Sequence, residues 1–128
     1  MKRQGDQGVS RNGLGAALLA KEAHKSNLIL EANLLKAQAR HQEAADRFAQ
    51  AAEIEEQLCK ALLRKGLWDK YFVHRFSALS CWAQAGDVYR AIMLGDELLA
   101  RADLPDPLRQ RIEEYARLLQ ARRVRWFQ

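Results

Sequence analysis

From Ala16 to Leu104 the chain contains no proline, and its sole glycines there are Gly66, Gly86 and Gly95. A stretch so poor in turn-forming residues has no means of reversing direction every eight to twelve residues, as a sheet of short strands requires. The remaining glycines, Gly5, Gly8, Gly13 and Gly15, crowd the N-terminus, and both prolines, Pro105 and Pro107, stand together near the end. Apolar residues make up 48% of the 128 residues, enough to build one modest core, so the expectation is a single all-α domain. Residues 1–12 are polar and glycine-rich without periodic apolar positions and are expected to form a loose tail. The domain then covers residues 13–128.

The apolar residues recur at helical spacing. Leu14, Leu18, Leu28, Ala32, Leu35 and Ala39 form one stripe, and Leu30, Leu34 and Ala37 form an adjacent one, so the first helix is expected to bury two faces. Lys21 and Lys25 interrupt the first stripe. The helix therefore either projects over its first half or breaks at Ser26 and Asn27, which can cap a second segment. A helix from His41 to Lys65 buries Ala44, Ala45, Phe48, Ala51, Ala52, Leu58, Cys59, Leu62 and Leu63, with Gly66 as its stop. The segment from Trp68 to Ala85 gathers Trp68, Tyr71, Phe72, Phe76, Leu79 and Trp82 as the expected core. A helix from Val88 to Ala102 follows the Gly86–Asp87 turn. Asp106 as N-cap and Pro107 in the first turn then open a last helix carrying Leu108, Ile112, Tyr115, Ala116 and Leu119. Arg109, Glu113, Arg117 and Gln120 are expected on its wet side. Five helices joined by short turns imply antiparallel neighbours.

Two helix pairs carry a further pattern. Leu28, Ala32, Leu35, Ala44, Phe48, Ala51 and Glu56 stand at separations that resemble the tetratricopeptide repeat, with Glu31 at a place where that family has an aliphatic residue. Small Ala32 and Ala44 let antiparallel helices approach closely while Leu35 and Phe48 fill the space beside them. Phe76, Leu79, Ser80 and Ala83 begin a less regular second copy, in which Gly95 stands at an aromatic position. The resemblance covers residues 25–101 and implies a capping role for the last helix. It also implies an inner face that takes an extended protein segment. On that face the resemblance places Ser26, Ile29, Asn33 and Lys36 from the first pair and His74, Ser77, Cys81 and Gln84 from the second. Asn33 matches the family's recurrent peptide-binding asparagine, whereas Ile29 replaces the lysine of its carboxylate clamp. Two repeats are few for a free-standing stack, so self-association, as in a homodimer, is an expected source of the missing neighbour.

Charge and chemistry narrow the functional classes. Lys and Arg total 21 against 16 acidic residues, a formal +5 distributed evenly between the halves of the chain, so nucleic acid is not the expected partner. A local exception is the C-terminal tip, where Arg122, Arg123 and Arg125 alternate with Val124 and run into Trp126 and Phe127. That tip is the alternative site, for an anionic surface or nucleic acid. Cys59 and Cys81 are too few for a disulfide scaffold or a thiolate zinc site and read as buried thiols. The apolar run from Gly13 to Ala20 is too short to span a membrane. A secretory signal would need its basic end nearer and a small-residue cleavage site after it, but Gln4 to Asn12 precede the run and Lys21 and Glu22 follow it, which leaves a cytoplasmic protein as the expectation.

No catalytic motif emerges. His24, His41 and His74 are scattered without a Glu-x-x-His pair, and the doublets Glu55–Glu56, Asp96–Glu97 and Glu113–Glu114 diverge around their helices onto expected solvated faces. No phosphate-binding glycine loop or nucleophile elbow is present. The expectation is a non-enzymatic scaffold without metal or cofactor. An enzyme would require two carboxylates to converge on His74 through tertiary folding.

Overall fold

The computed structural model of the chain describes residues 15–126, and the side chains of residues 15–122. Among them are α1 (Ala16–Ala37), α2 (His41–Arg64), α3 (Trp68–Gln84), α4 (Val88–Leu99) and α5 (Asp106–Trp126), with no strand. The all-α reading and the helix count stand. The expected tail over residues 1–12 lies outside the described residues.

Three of the connections share one geometry. At the end of α1 the N–H of Arg40 reaches back to the Leu35 carbonyl, at the end of α2 that of Leu67 to Leu62, and at the end of α3 that of Asp87 to Trp82. Each closes over a residue with left-handed backbone, Ala39 (φ 62°), Gly66 (φ 70°) and Gly86 (φ 93°). This satisfies the last carbonyls of one helix and reverses the chain within a few residues. Asp87 then caps α4 by accepting a hydrogen bond from the Arg90 N–H at 3.0 Å. At α5 the Arg109 N–H bonds the Pro105 carbonyl, so Pro105 occupies the capping place and Asp106 already lies in the helix, one residue from the expected position. The α4 helix ends at Leu99, earlier than its periodicity suggests, because the Arg109 guanidinium collects the carbonyls of Leu99 and Arg101. Arg109, in the first turn of α5, thus turns its half-buried side chain onto the α4–α5 connection and not to the wet side.

Each helix packs on its neighbours in sequence, and α3 additionally touches α5. One cluster joins Leu28 of α1, Ala51 and Ala52 of α2, Leu79 and Trp82 of α3, Ile92 of α4 and Leu119 of α5. A second closes the other end through Phe72, Leu98, Leu104, Leu108 and Ile112. The fully buried alanines Ala32, Ala51 and Ala52 carry small side chains that permit close approach of α1 to α2 and of α2 to α3. Gly95 serves the same end between α3 and α5, with Leu79 and Ile112 against its backbone.

Several expectations need correction. α1 is unbroken through Ser26 and Asn27. It buries only one face: Leu28, Ala32 and Leu35 are covered, while Leu30, Leu34 and Ala37 face outward. Trp68, expected in the core, is exposed at the first position of α3, where Arg101 is stacked 4.7 Å from its ring. Leu63, in the last turn of α2, is exposed too.

Candidate functional site

The most polar part of the interior lies where α1, α2 and α3 meet. Glu55 projects from α2 between the other two helices and is 0% exposed, which overturns the expectation that it lies on a solvated face. A charge so placed requires partners from both neighbours. Lys25 of α1 supplies one, with Nζ 3.1 Å from Glu55 Oε2, and His74 of α3 the other, with Nδ1 2.6 Å from Oε1. Ser77, one turn on from His74, stands on the same side and also favours the ionised carboxylate. Burial pushes the Glu55 carboxyl upward, but the hydrogen bond from His74, the Ser77 hydroxyl and the Lys25 charge outweigh it and hold the group below its ordinary range. The ionised carboxylate only accepts, so His74 Nδ1 carries the shared hydrogen. Lys25 is buried in turn, and the charge and hydrogen bond of Glu55 hold its pKa above the usual value despite that burial.

Glu22, one turn before Lys25, completes the group with Oε2 3.1 Å from the ammonium. Two carboxylates and His74 do therefore converge, and ligand atoms of Glu22, Glu55 and His74 lie within 4.8 Å of one another. The Lys25 ammonium contacts both carboxylates at 3.1 Å, so the place a cation would take is filled by the protein's own charge. A divalent metal would have to displace Lys25. Chemically the group is a charge-compensated strut between three helices.

The inner-face residues separate into two sets. His74 and Ser77 turn toward Glu55, and Cys81 is buried, so these do not line an open groove. The reason is that this row of α3 faces α2, where Glu55 projects and Ala51 and Ala52 are buried, which directs it inward. Ser26, Asn33, Lys36 and Gln84 are exposed and Ile29 is half-buried. Lys36 Nζ donates to Gln84 Oε1 at 3.0 Å and ties α1 to α3. Just beyond that link lies a cleft of 370 Å³ lined by Lys36, His41, Gln84, Tyr115 and Arg122 over a floor that includes Phe48 and Ala83. Tyr115 is held edge-on to Phe76, with ring centroids 5.9 Å apart. Lys36 and Arg122 bring positive charge to this cleft, and none of its lining residues is acidic. Sequence periodicity had no means of finding it, because it joins residues of all five helices and one turn.

Of the basic-aromatic tip, only Arg122 has a described side chain, and it is exposed at the edge of the cleft. The side chains of Arg123, Arg125 and Trp126, and Phe127 entirely, lie outside the described residues. Upstream, Arg111 is stacked 5.0 Å from the Phe76 ring and Arg109 holds the turn before α5, so part of the C-terminal positive charge is engaged within the fold. No described helix is long and apolar enough to cross a membrane. Comparison with family models, with curated proteins and with solved structures yields no match.

Proposed function

We propose that the chain is a non-enzymatic binding scaffold, a pair of tetratricopeptide-like helix-turn-helix units closed by α5, that holds an extended acidic protein segment along α1, α3 and α5. The observation that carries this reading is the 370 Å³ cleft, in which Lys36, His41 and Arg122 surround Tyr115 and no lining residue is acidic. Such a lining suits a carboxylate beside an apolar side chain: ammonium and guanidinium groups receive the charge, and Tyr115 and Phe48 receive the apolar part. Lys36 spends one hydrogen on Gln84 and retains two for a ligand. Asn33 and Ile29, earlier on α1, lie along the same helix and extend the contact beyond the cleft.

Fluorescence anisotropy with labelled extended peptides tests this. Acidic peptides are expected to bind with affinity that falls as salt is raised, since the cations are at the surface. Basic peptides of equal length are expected not to bind. Lys36→Glu or Arg122→Glu should each weaken acidic-peptide binding by about tenfold, or about 1.4 kcal/mol. Equal binding of acidic and basic peptides, or indifference to both charge reversals, would defeat the reading.

A further inference from the structure

We propose that two copies of this chain pair through the outward face of α1, antiparallel, about a twofold axis that passes between Ser26 and Asn27. The surface concerned is separate from the cleft above, and the inference does not depend on the binding reading.

The fold itself contains the comparison that marks this face as incomplete. Aligning Leu28 with Phe76, the first large residue of each helix pair, sets Leu30 against Ala78 and Leu34 against Trp82. Ala78 and Trp82 are 0% and 5% exposed, because α3 lays them on α2 beside Ala51 and Ala52 and Trp82 donates to Glu56 at 2.7 Å. Leu30 and Leu34 are 61% and 57% exposed, since no described helix precedes α1 to cover them. Leu19, on the same face, is 37% exposed.

The composition of the face identifies the occupant. At 100° per residue, the arc of α1 within about 60° of Leu30 contains no Lys, Arg, Asp or Glu along the length of the helix. In a chain with 29% charged residues, an exposed strip without charge is suited to an uncharged counterpart. The strip is also symmetric about its centre. Measured outward from the point between Ser26 and Asn27, Ala23 lies as far as Leu30, Leu19 as far as Leu34, and Ala16 as far as Ala37. An antiparallel copy therefore sets each leucine against an alanine or a leucine of its mate, large beside small at the inner pair, with no clash of charge. At the axis Ser26 meets Ser26 and Asn27 meets Asn27. Both side chains donate and accept, so each pair is self-complementary, and a register shifted by one turn would oppose them to leucine or alanine. On one flank Glu31 comes within a turn of His24 of the second copy, a polar contact that fits the same register.

The size of the contact sets the strength. Two strips about 33 Å long and about 10 Å wide cover on the order of 700 Å² in total, below the 1,600 Å² or so of a standard stable interface. The pairing is accordingly a reversible one that appears at micromolar concentration and above.

Sedimentation velocity on the full chain from about 5 to about 500 µM is expected to show a monomer–dimer equilibrium. Leu30→Glu combined with Leu34→Glu should weaken it at least tenfold while leaving helix content unchanged by circular dichroism, because both positions are exposed. Under mild oxidation Asn27→Cys should cross-link to itself across the axis. Ala16→Cys should not, being about 30 Å from its own counterpart, but should cross-link to Ala37→Cys in a mixture. The native cysteines are buried and do not interfere. A monomer at all concentrations, a dimer untouched by the glutamates, or self-cross-linking of Ala16→Cys as efficient as that of Asn27→Cys would overturn the proposal. A monomer whose Leu30 methyl resonances shift when residues 1–14 are removed would assign the face to the chain's own N-terminal segment and overturn it equally.

Discussion

Glu55 spends both carboxylate oxygens on different helices, Oε1 on His74 of α3 at 2.6 Å and Oε2 on Lys25 of α1 at 3.1 Å. The charge is removed from water and met by the Lys25 ammonium on one side and a hydrogen bond from His74 on the other, so it fixes how α1 and α3 sit on α2 without adding much net stability. Removing one member is another matter.

Glu55→Ala leaves the Lys25 ammonium buried with only the partly exposed Glu22 beside it. The expected loss is about 3–5 kcal/mol, read as a lower midpoint in urea unfolding. Replacing both charges, Lys25→Met with Glu55→Leu, should cost far less than the single change. A double variant as unstable as Glu55→Ala would show that packing, not the unpaired charge, dominates.

The same pair shapes the pH dependence. The folded-state pKa of Glu55 lies below its ordinary 4.5, so its contribution is complete above that value and is lost as pH falls through the folded one. That of Lys25 lies above 10.5, so its contribution is complete below that value and is lost as pH rises through the folded one. Between about pH 5 and pH 10 neither contribution changes. Urea midpoints measured across this range should show the gap between the wild type and the double variant constant in the middle and changing on both flanks.

Ala39 adopts the left-handed backbone that glycine occupies in the two other turns of the same kind. A Cβ there costs about 1–2 kcal/mol, part of which is recovered because alanine loses less chain entropy on folding. Ala39→Gly should therefore raise stability by roughly 0.5–1 kcal/mol, and Gly66→Ala and Gly86→Ala should lower it by a similar amount. Differential scanning calorimetry would resolve these changes, and a lower melting temperature for Ala39→Gly would contradict the account.

Burial pushes the Cys59 thiol up to about 12 and the Cys81 thiol up to about 11. Both are thiols at pH 8 and shielded from solvent. A chromogenic disulfide reagent is expected to titrate neither in the native protein and both in denaturant, with native labelling no faster than unfolding. Prompt labelling of either would place it at the surface.

Helix boundaries were legible because they depend on local chemistry: Gly66 and Gly86 accept a positive φ, and apolar side chains repeat every three or four residues through Phe48, Leu58 and Leu62. Lys25 and Glu55 were misread for the converse reason. Periodicity treats every charge as solvated, and only the meeting of three helices shows that each compensates the other. Leu30 and Leu34 were correctly identified as an apolar stripe, yet sequence spacing carries no information on whether a neighbour exists to cover it. The cleft beside Tyr115 was invisible because its residues are scattered from Lys36 to Arg122.

Because each helix leans almost wholly on the one before and the one after, most of the packing joins parts of the chain that are close in sequence. Such a molecule folds by short-range steps and can lose its ends separately. α1, with one neighbouring helix and a bare outer side, is the segment whose amides should exchange earliest. α3, gripped by α2, α4 and α5, should release its own last of all.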